Sequence, residues 1–209
     1  MMPQRKPSST QAGWPTTAHL ARTRPKLYVH AYDDAQRGGV EAYIYDRYRQ
    51  RFGARVRHWM PHLVSLQLDG QILAAAGFRC AQEPLFLERY LAAPIEQYLC
   101  DRDRPVTRRH IVETGQFASG RPGGGRLLVP HLARHLDQQG FEWAVGTLTS
   151  ELHHLFSRMG LAHLPLAAAQ ASDLAEAERK DWGSYYQHDP RVFAGRLGLI
   201  IARFQDAQE

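Results

Sequence analysis

The stretch HLVSLQLDGQILAAAGFRC, residues 62–80, constrains the fold more than any other. Two apolar runs flank Asp69-Gly70, a dipeptide suited to the positive φ angles of a two-residue turn, so the pattern predicts an antiparallel hairpin. A hairpin alone is marginal in water and needs further strands or covering helices, which commits the chain to a sheet protein.

The other elements are placed around it. KLYVHAY (26–32) reads as a first strand, bounded by Pro25 and Asp33-Asp34. GVEAYIYDRYRQRF (39–52) repeats Val40, Tyr43, Ile44, Tyr48 and Phe52 at helical spacing, and Gly53 stops it. PLFLERYL (84–91) and APIEQYLC (93–100) read as short helical or irregular pieces. Residues 109–119 predict a strand, 127–139 a helix ended by Gly140, and FEWAVGTL (141–148) a strand. SELHHLFSRM (150–159) predicts a helix capped by Ser150 and ended by Gly160. An Ala-rich helical segment, the string WGSYYQHDP and an apolar stretch over 192–204 complete the chain. The expected class is α/β of the α+β type: a single mixed central sheet with helices on both faces. At 209 residues one domain suffices. It is expected to run over 26–209, with a C-terminal extension from about 164, behind a disordered or loosely attached arm at 1–25.

Composition narrows the function. The net charge is +5 and the pI about 9.4, which either favours an anionic partner or simply maintains solubility. Cys80 and Cys100 lie in no CxxC pattern and read as small buried residues of a reducing compartment. No apolar run reaches the roughly 18 residues of a membrane span, and the N-terminus lacks the apolar centre of a signal peptide. A cytoplasmic protein is expected. His131 and His135 are helical neighbours, but HLARH lacks the glutamate of a zinc protease, so no metal is expected. No recognisable nucleic-acid reading module accompanies the charge.

The chemistry concentrates in HIVETGQFASGRPGGGRLL, residues 110–128. In a regular strand Ile111, Glu113, Gly115 and Phe117 share one face, so Glu113 is expected among apolar neighbours. A carboxylate there must find a partner or its pKa rises. Two readings stay open: a structural ion pair with Arg79, or a carboxylate that orients or deprotonates a substrate amine. The following loop, Gly120 to Gly125, lets main-chain N–H groups approach a ligand, and a helix beginning near Leu127 adds its positive end. With Arg121 and Arg126 alongside, Gly123, Gly124 and Gly125 form a candidate phosphate cradle; a flexible turn is the plainer alternative. Pro130 is expected to limit how far upstream that helix extends. In WGSYYQHDP, Trp182, Tyr185 and Tyr186 either line a substrate pocket, with a tyrosine protonating a departing thiolate, or pack the chain onto the domain. Glu88, in FLERYL, is either a surface ion-pair residue or a substrate contact.

The order of hairpin, strand, glycine loop, helix and strand resembles the Gcn5-related N-acetyltransferase (GNAT) fold. The resemblance implies that the loop holds the pyrophosphate of an acyl-CoA. Against the usual loop pattern Arg121 and Gly124 match, while Arg126 stands at a position that is normally small. Gly77-Phe78-Arg79 and Glu113-Thr114-Gly115-Gln116-Phe117 are similar to segments of acyl-homoserine lactone synthases over about residues 40–130; Arg79 and Glu113 match, while Gln116 stands where those enzymes have arginine. Over about 26–204 the chain looks most like the thermostable haemolysin family, through FLERYL (86–91), IVETGQFAS (111–119), LHHLFSRMGL (152–161) and WGSYYQHDPRVFAG (182–195).

The resulting expectation is an acyltransferase that moves an acyl group, a fatty one by preference, from a thioester to an amine. Glu113, Tyr185 and Tyr186 are the catalytic candidates. Arg79, Gln116, Phe117, Glu88 and Trp182 are the substrate-binding candidates, and Arg121, Gly123, Gly124, Gly125 and Arg126 hold the donor. The donor is acyl-CoA or acyl carrier protein as co-substrate, with no tightly bound cofactor. The acceptor is a small-molecule amine, and an acidic carrier protein is a candidate partner. The competing class is a membrane-active or lipid-binding protein without catalysis, for which membrane contact is required rather than optional.

Overall fold

A computed structural model describes residues 24–101 and 104–205. The arm expected at 1–25 lies outside the described residues as far as residue 23. Asp69 and Gly70 both have positive φ, 49° and 76°, as the turn between β2 (His62–Leu68) and β3 (Gln71–Cys80) requires. The hairpin sits inside a seven-stranded sheet. Its other strands are β1 (Lys26–His30), β4 (Ile111–Ser119), β5 (Trp143–Leu148), β6 (Leu164–Ala168) and β7 (Arg191–Arg196), in the order β1-β2-β3-β4-β5-β7-β6. All neighbours are antiparallel except β4 and β5, which run parallel across the helix α2 (Gly124–Gln138). The remaining helices are α1 (Arg37–Phe52), α3 (Ser150–Arg158), α4 (Glu176–Asp181) and α5 (Leu197–Gln205). A mixed sheet with helices on both faces is thus the observed architecture.

Alternation along β3 sorts the core onto the two faces. Ala74, Ala76 and Phe78 pack with Val112 and with Leu128, Leu132 and Leu136 of α2 and Leu197 of α5. Ala75 points the other way, to Leu63 and to Val40 and Ile44 of α1. On that second face, over β4, β5 and β7, the segments around 85–99 and 169–186 bury Leu87, Tyr90 and Ile95 against Ile111, Val145 and Val192.

Several expectations change. β1 stops at His30, and α1 starts at Arg37, where the Arg37 guanidinium donates to the carbonyls of His30, Met60 and Pro61 (3.1, 2.8 and 2.9 Å). α2 starts at Gly124 with Pro130 inside it. The proline removes one N–H from the ladder, and burial of Leu128, Leu132, Ala133 and Leu136 outweighs the lost bond. The cap of α3 is Thr149, whose Oγ1 accepts the Leu152 N–H at 3.4 Å, rather than Ser150. The Ala-rich stretch after 164 divides into the strand β6 and, from Glu176, the helix α4, and the apolar run of 192–204 divides into β7 and α5. Cys80 is only partly buried.

Candidate active site

The site originates in an irregularity of β4. Its register with β3 shifts between Ala75↔Ala118 and Gly77↔Gly115, and Gln116 takes φ 53°. An extra residue of this kind reverses the alternation beyond it. The expectation that Phe117 shares a face with Glu113 is therefore corrected. Phe117 packs with the α2 side of the sheet, its ring edge-on to Phe156 at 5.9 Å, while Ala118 joins the α1 side. On its other edge β4 pairs with β5 only through Ile111↔Trp143, Val112↔Ala144 and Glu113↔Val145. From Thr114 onward the two parallel strands part. Gly146 lies at the parting, where a Cβ would stand 2.5 Å from the Thr114 carbonyl oxygen.

A cavity of about 560 Å³ opens at this wedge. Its floor is β4 from Glu113 to Ser119, and its walls come from α1, α2, α3 and the late segment around Trp182–Tyr186. The walls are mainly aromatic and aliphatic: Phe52, Phe86, Tyr185 and Trp182 on one side of the sheet, Leu128 and Phe156 on the other. A shallower hollow formed by the loop from Ser119 to Gly123, with Gly125 and Arg126, shares Ser119, Gly125 and Leu155 with the cavity.

Glu113 is 3% exposed and lines the cavity. Its Oε2 accepts the Phe86 N–H at 3.0 Å and its Oε1 the Leu87 N–H at 2.9 Å, so the carboxylate holds the first turn of the 3₁₀ segment Phe86–Tyr90. Arg79, its register partner on β3, brings Nε to 3.4 Å from Oε2. The ion pair foreseen between the two is present, but that Nε is buried without a hydrogen bond, so the attraction is Coulombic. Arg79 Nη1 donates to the Pro84 carbonyl at 3.2 Å. Burial raises the Glu113 pKa, opposed by the Phe86 N–H, Arg79 and the Leu87 N–H.

The cavity wall carries a tyrosine pair. The hydroxyls of Tyr186 and Tyr90 are 2.6 Å apart. Burial raises both pKa values, and the Tyr90 hydroxyl lowers that of Tyr186 in part. Tyr185 is buried and stacks on Tyr48 at 6.4 Å, and burial drives its phenol well above the ordinary value. Trp182 packs on Tyr185 at 5.0 Å and is only half-buried. All four side chains line the cavity.

Other candidates stand differently. Gln116 lines the cavity, yet its amide is committed: Oε1 accepts the Met60 N–H at 3.3 Å and Nε2 donates to the His58 carbonyl at 2.8 Å. Glu88 lies away from the cavity. Arg108 grips both its oxygens (2.6 and 3.1 Å), and the N–H groups of Ile95 and Leu85 add to the site at 3.1 and 3.4 Å. The Arg108 contact is the main reason the Glu88 pKa falls. At the glycine loop, Gly123 caps α2 with φ 83°, and Gly124 is buried where a Cβ would meet the Leu73 carbonyl and Ser119 Oγ at 2.6 Å each. Leu127 N–H returns to the Gly123 carbonyl at 3.1 Å and Gly124 N–H to that of Arg121 at 3.1 Å. Helix geometry leaves the N–H groups of Gly125 and Arg126 without an intrahelical acceptor.

Sequence reasoning missed Tyr90, Met60 and Arg47. Tyr90 lies in FLERYL, beside charged residues that mark a surface turn more plainly than a pocket wall. Arg47 extends from α1 into the cavity wall with its Nε buried and unpartnered. Beside it, Tyr43 Oη accepts the Gly120 N–H at 2.6 Å and donates to the Leu73 carbonyl at 3.0 Å, pinning the glycine loop to α1. No sequence motif marks either contact.

Residues 30–200 match the family described as thermostable hemolysin. The chain belongs to the thermostable hemolysin family. The expected resemblance is therefore confirmed. No curated protein sequence matches the chain. Among solved structures the family member is similar to the acyl-homoserine lactone synthase LasI, with a TM-score of 0.57 at 15% identity, over 84% of this chain and 91% of that one. It is similar to MesI, a CoA-dependent acyl-homoserine lactone synthase, with a TM-score of 0.55 at 16% identity over 87% and 94%. It is also similar to FeeM, an N-acyl amino acid synthase from uncultured soil microbes, with a TM-score of 0.57 at 10% identity over 86% and 96%. At such identities the likeness establishes the GNAT and acyl-homoserine lactone synthase type of fold. The family name describes a lytic effect, not a mechanism; among the described residues no helix is long and apolar enough to cross a membrane.

Proposed function

We propose that this member of the thermostable hemolysin family is an N-acyltransferase that moves a fatty acyl group from a CoA or acyl-carrier-protein thioester to an amine. One observation carries the reading: β4 and β5 part just beyond Glu113, beside a largely apolar cavity bordered by the glycine loop. The parted strands offer main-chain groups of β4 to an extended ligand. Similarly folded proteins support the same chemistry: MesI is a CoA-dependent acyl-homoserine lactone synthase, BjaI was solved with S-adenosylmethionine and isopentyl-CoA, and FeeM is an N-acyl amino acid synthase.

In this reading the donor phosphate rests on the N–H groups of Gly125 and Arg126 at the start of α2, with Arg121, Arg126 and Arg47 supplying charge. The thioester carbonyl lies along β4, whose main-chain N–H groups stabilise the oxyanion when the amine nitrogen attacks. A C–N bond forms and the C–S bond breaks. The amine proton passes, directly or through a water, to Glu113, whose raised pKa brings it nearer to working pH. Each Glu113 oxygen keeps a lone pair beyond its backbone bond. The departing thiolate takes a proton from the Tyr90–Tyr186 hydroxyl pair. Arg79 fixes the acceptor, Trp182 and Tyr185 line the acceptor side of the cavity, Phe117 contacts the acyl chain on the opposite face of the sheet, and Gln116 acts by bracing the cavity wall. A small-molecule amine and an acidic carrier protein are the partners, and such donors place the reaction in the cytoplasm.

The test is mass-spectrometric detection of acyl amide from an acyl-CoA and acyl-carrier-protein panel, together with calorimetric donor binding to wild type and Gly125→Asp. A Cβ at Gly125 meets only the tip of Leu155, at 3.6 Å, so the aspartate adds negative charge to the cradle without a backbone clash. Donor affinity is expected to fall at least tenfold. Unchanged affinity would remove the cradle, and absence of product from every donor would remove the activity.

A further inference from the structure

Two glycines face each other in the sheet beside the wedge: Gly77 of β3 is the register partner of Gly115 of β4. In both cases Met60 occupies the space a Cβ would take, joined at Gly77 by Gln116 Oε1 at 2.9 Å. A Cβ on Gly77 would stand 2.9 Å from Met60 Cβ and 3.0 Å from Sδ, and one on Gly115 would stand 2.9 Å from Cε. The thioether therefore lies flat on bare strand backbone, 6% exposed, and forms part of the cavity wall.

The main chain carrying Met60 is held from two sides. Gln116 takes its N–H (3.3 Å) and donates to the His58 carbonyl (2.8 Å), and Arg37 donates to the carbonyls of Met60 (2.8 Å) and Pro61 (2.9 Å). The backbone of this wall is fixed while its side chain is unbranched and has three rotatable bonds. Gln116 reaches Met60 because the β4 bulge turns it into the left-handed region, so the irregularity that opens the wedge also seats this wall.

Met60 lies on the Glu113 and Arg79 face of the sheet, at the first β4 residues past the parting of the strands. In the acyl-transfer reading, on which this step rests, that is the side from which the amine approaches. We infer that the Met60 side chain is the size filter of the acceptor pocket. It admits slender primary amines and turns back those that carry a branch or ring close to the nitrogen.

The experiment compares wild type, Met60→Leu, Met60→Val and Met60→Ala, using n-propylamine and benzylamine as acceptors and one acyl-CoA as donor. Both thiol release and acyl amide are measured. In Met60→Ala the ratio of kcat/KM for benzylamine to that for n-propylamine is expected to rise at least tenfold, with the donor KM unchanged. Met60→Leu keeps the wild-type ratio and Met60→Val falls between. Unfolding curves identify any variant whose core has loosened, in which case Met60→Val against Met60→Leu carries the comparison. A ratio that stays constant across the folded variants, or a change in donor KM alone, overturns the filter while leaving the transferase reading intact. A wild type that makes no amide with either amine overturns both.

Discussion

Glu113 is both a strut and a candidate proton acceptor, and Glu113→Gln separates the two. The glutamine keeps one acceptor oxygen for the N–H groups of Phe86 and Leu87, now 3.0 and 2.9 Å from the carboxylate, and turns an NH₂ toward the other. One buried donor is then left unpaired, at about 1–3 kcal/mol. The Coulombic attraction to Arg79 is lost as well, but so is the cost of burying a charge. A net loss of about 2 kcal/mol corresponds to a fall in Tm of roughly 4–8 °C for a chain of this size. The pH dependence has a definite sign. Burial raises the folded-state pKa of Glu113, so its contribution is complete below the ordinary carboxylate value and is lost as pH rises through the raised one. The stability gap between wild type and Glu113→Gln is therefore widest in acid and narrows toward neutral pH. Urea unfolding across that range, with turnover measured on the same preparations, reads both roles. Proton acceptance predicts a fall in kcat/KM of about 10²–10⁴. An unfolding midpoint that matches wild type at every pH would refute the strut, and unaltered turnover would refute the proton acceptor.

Gly146→Ala should drive a methyl into the Thr114 carbonyl, 2.5 Å away at the parting of β4 and β5, with a loss of about 1–3 kcal/mol by thermal unfolding. Arg108→Met should leave Glu88 without its bidentate partner. Because that partner lowers the Glu88 pKa, the stability lost is present above the ordinary carboxylate value and disappears as pH falls through the lowered one, so the variant and wild type converge in acid. Gln116→Ala loses both bonds to the 58–60 segment while keeping positive φ, and Gln116→Gly loses the bonds but relieves the backbone; glycine should be the more stable of the two by about 1 kcal/mol in urea unfolding. Tyr186→Phe should slow thiol release at high pH more than at low pH, where solvent supplies the proton; an unchanged pH profile removes the tyrosine from that step.

The hairpin, α1 and the strand-loop-helix order were legible because each is written in local chemistry: Asp69-Gly70, the spacing of Val40, Ile44 and Tyr48, and the glycines before α2. The Glu113–Arg79 pair was also legible, since a carboxylate on an inward face demands a counter-charge. The rest depends on tertiary contact. Alternation placed Phe117 with Glu113 and failed there, because nothing in Gly115-Gln116 signals an extra residue in the strand. Leu164–Ala168 carries no β-branched or aromatic residue to mark a strand, yet becomes an edge strand because β7 offers it a ladder. Glu88 stayed open between an ion pair and a substrate contact because its partner Arg108 lies twenty residues away in sequence. Met60 lies in a stretch with no periodicity, and its packing against Gly77 and Gly115 is a tertiary contact that no local pattern marks.

The bulge at Gln116 also bears on how such a chain tolerates change in length. Removing one residue between Gly115 and Phe117 would let β4 resume strict alternation, swing Phe117 to the α1 side and invite β5 to zip along the whole strand. The product would be a more regular sheet with nowhere to put a guest. Insertions and deletions at this point therefore act less on whether the molecule folds than on whether it stays hollow.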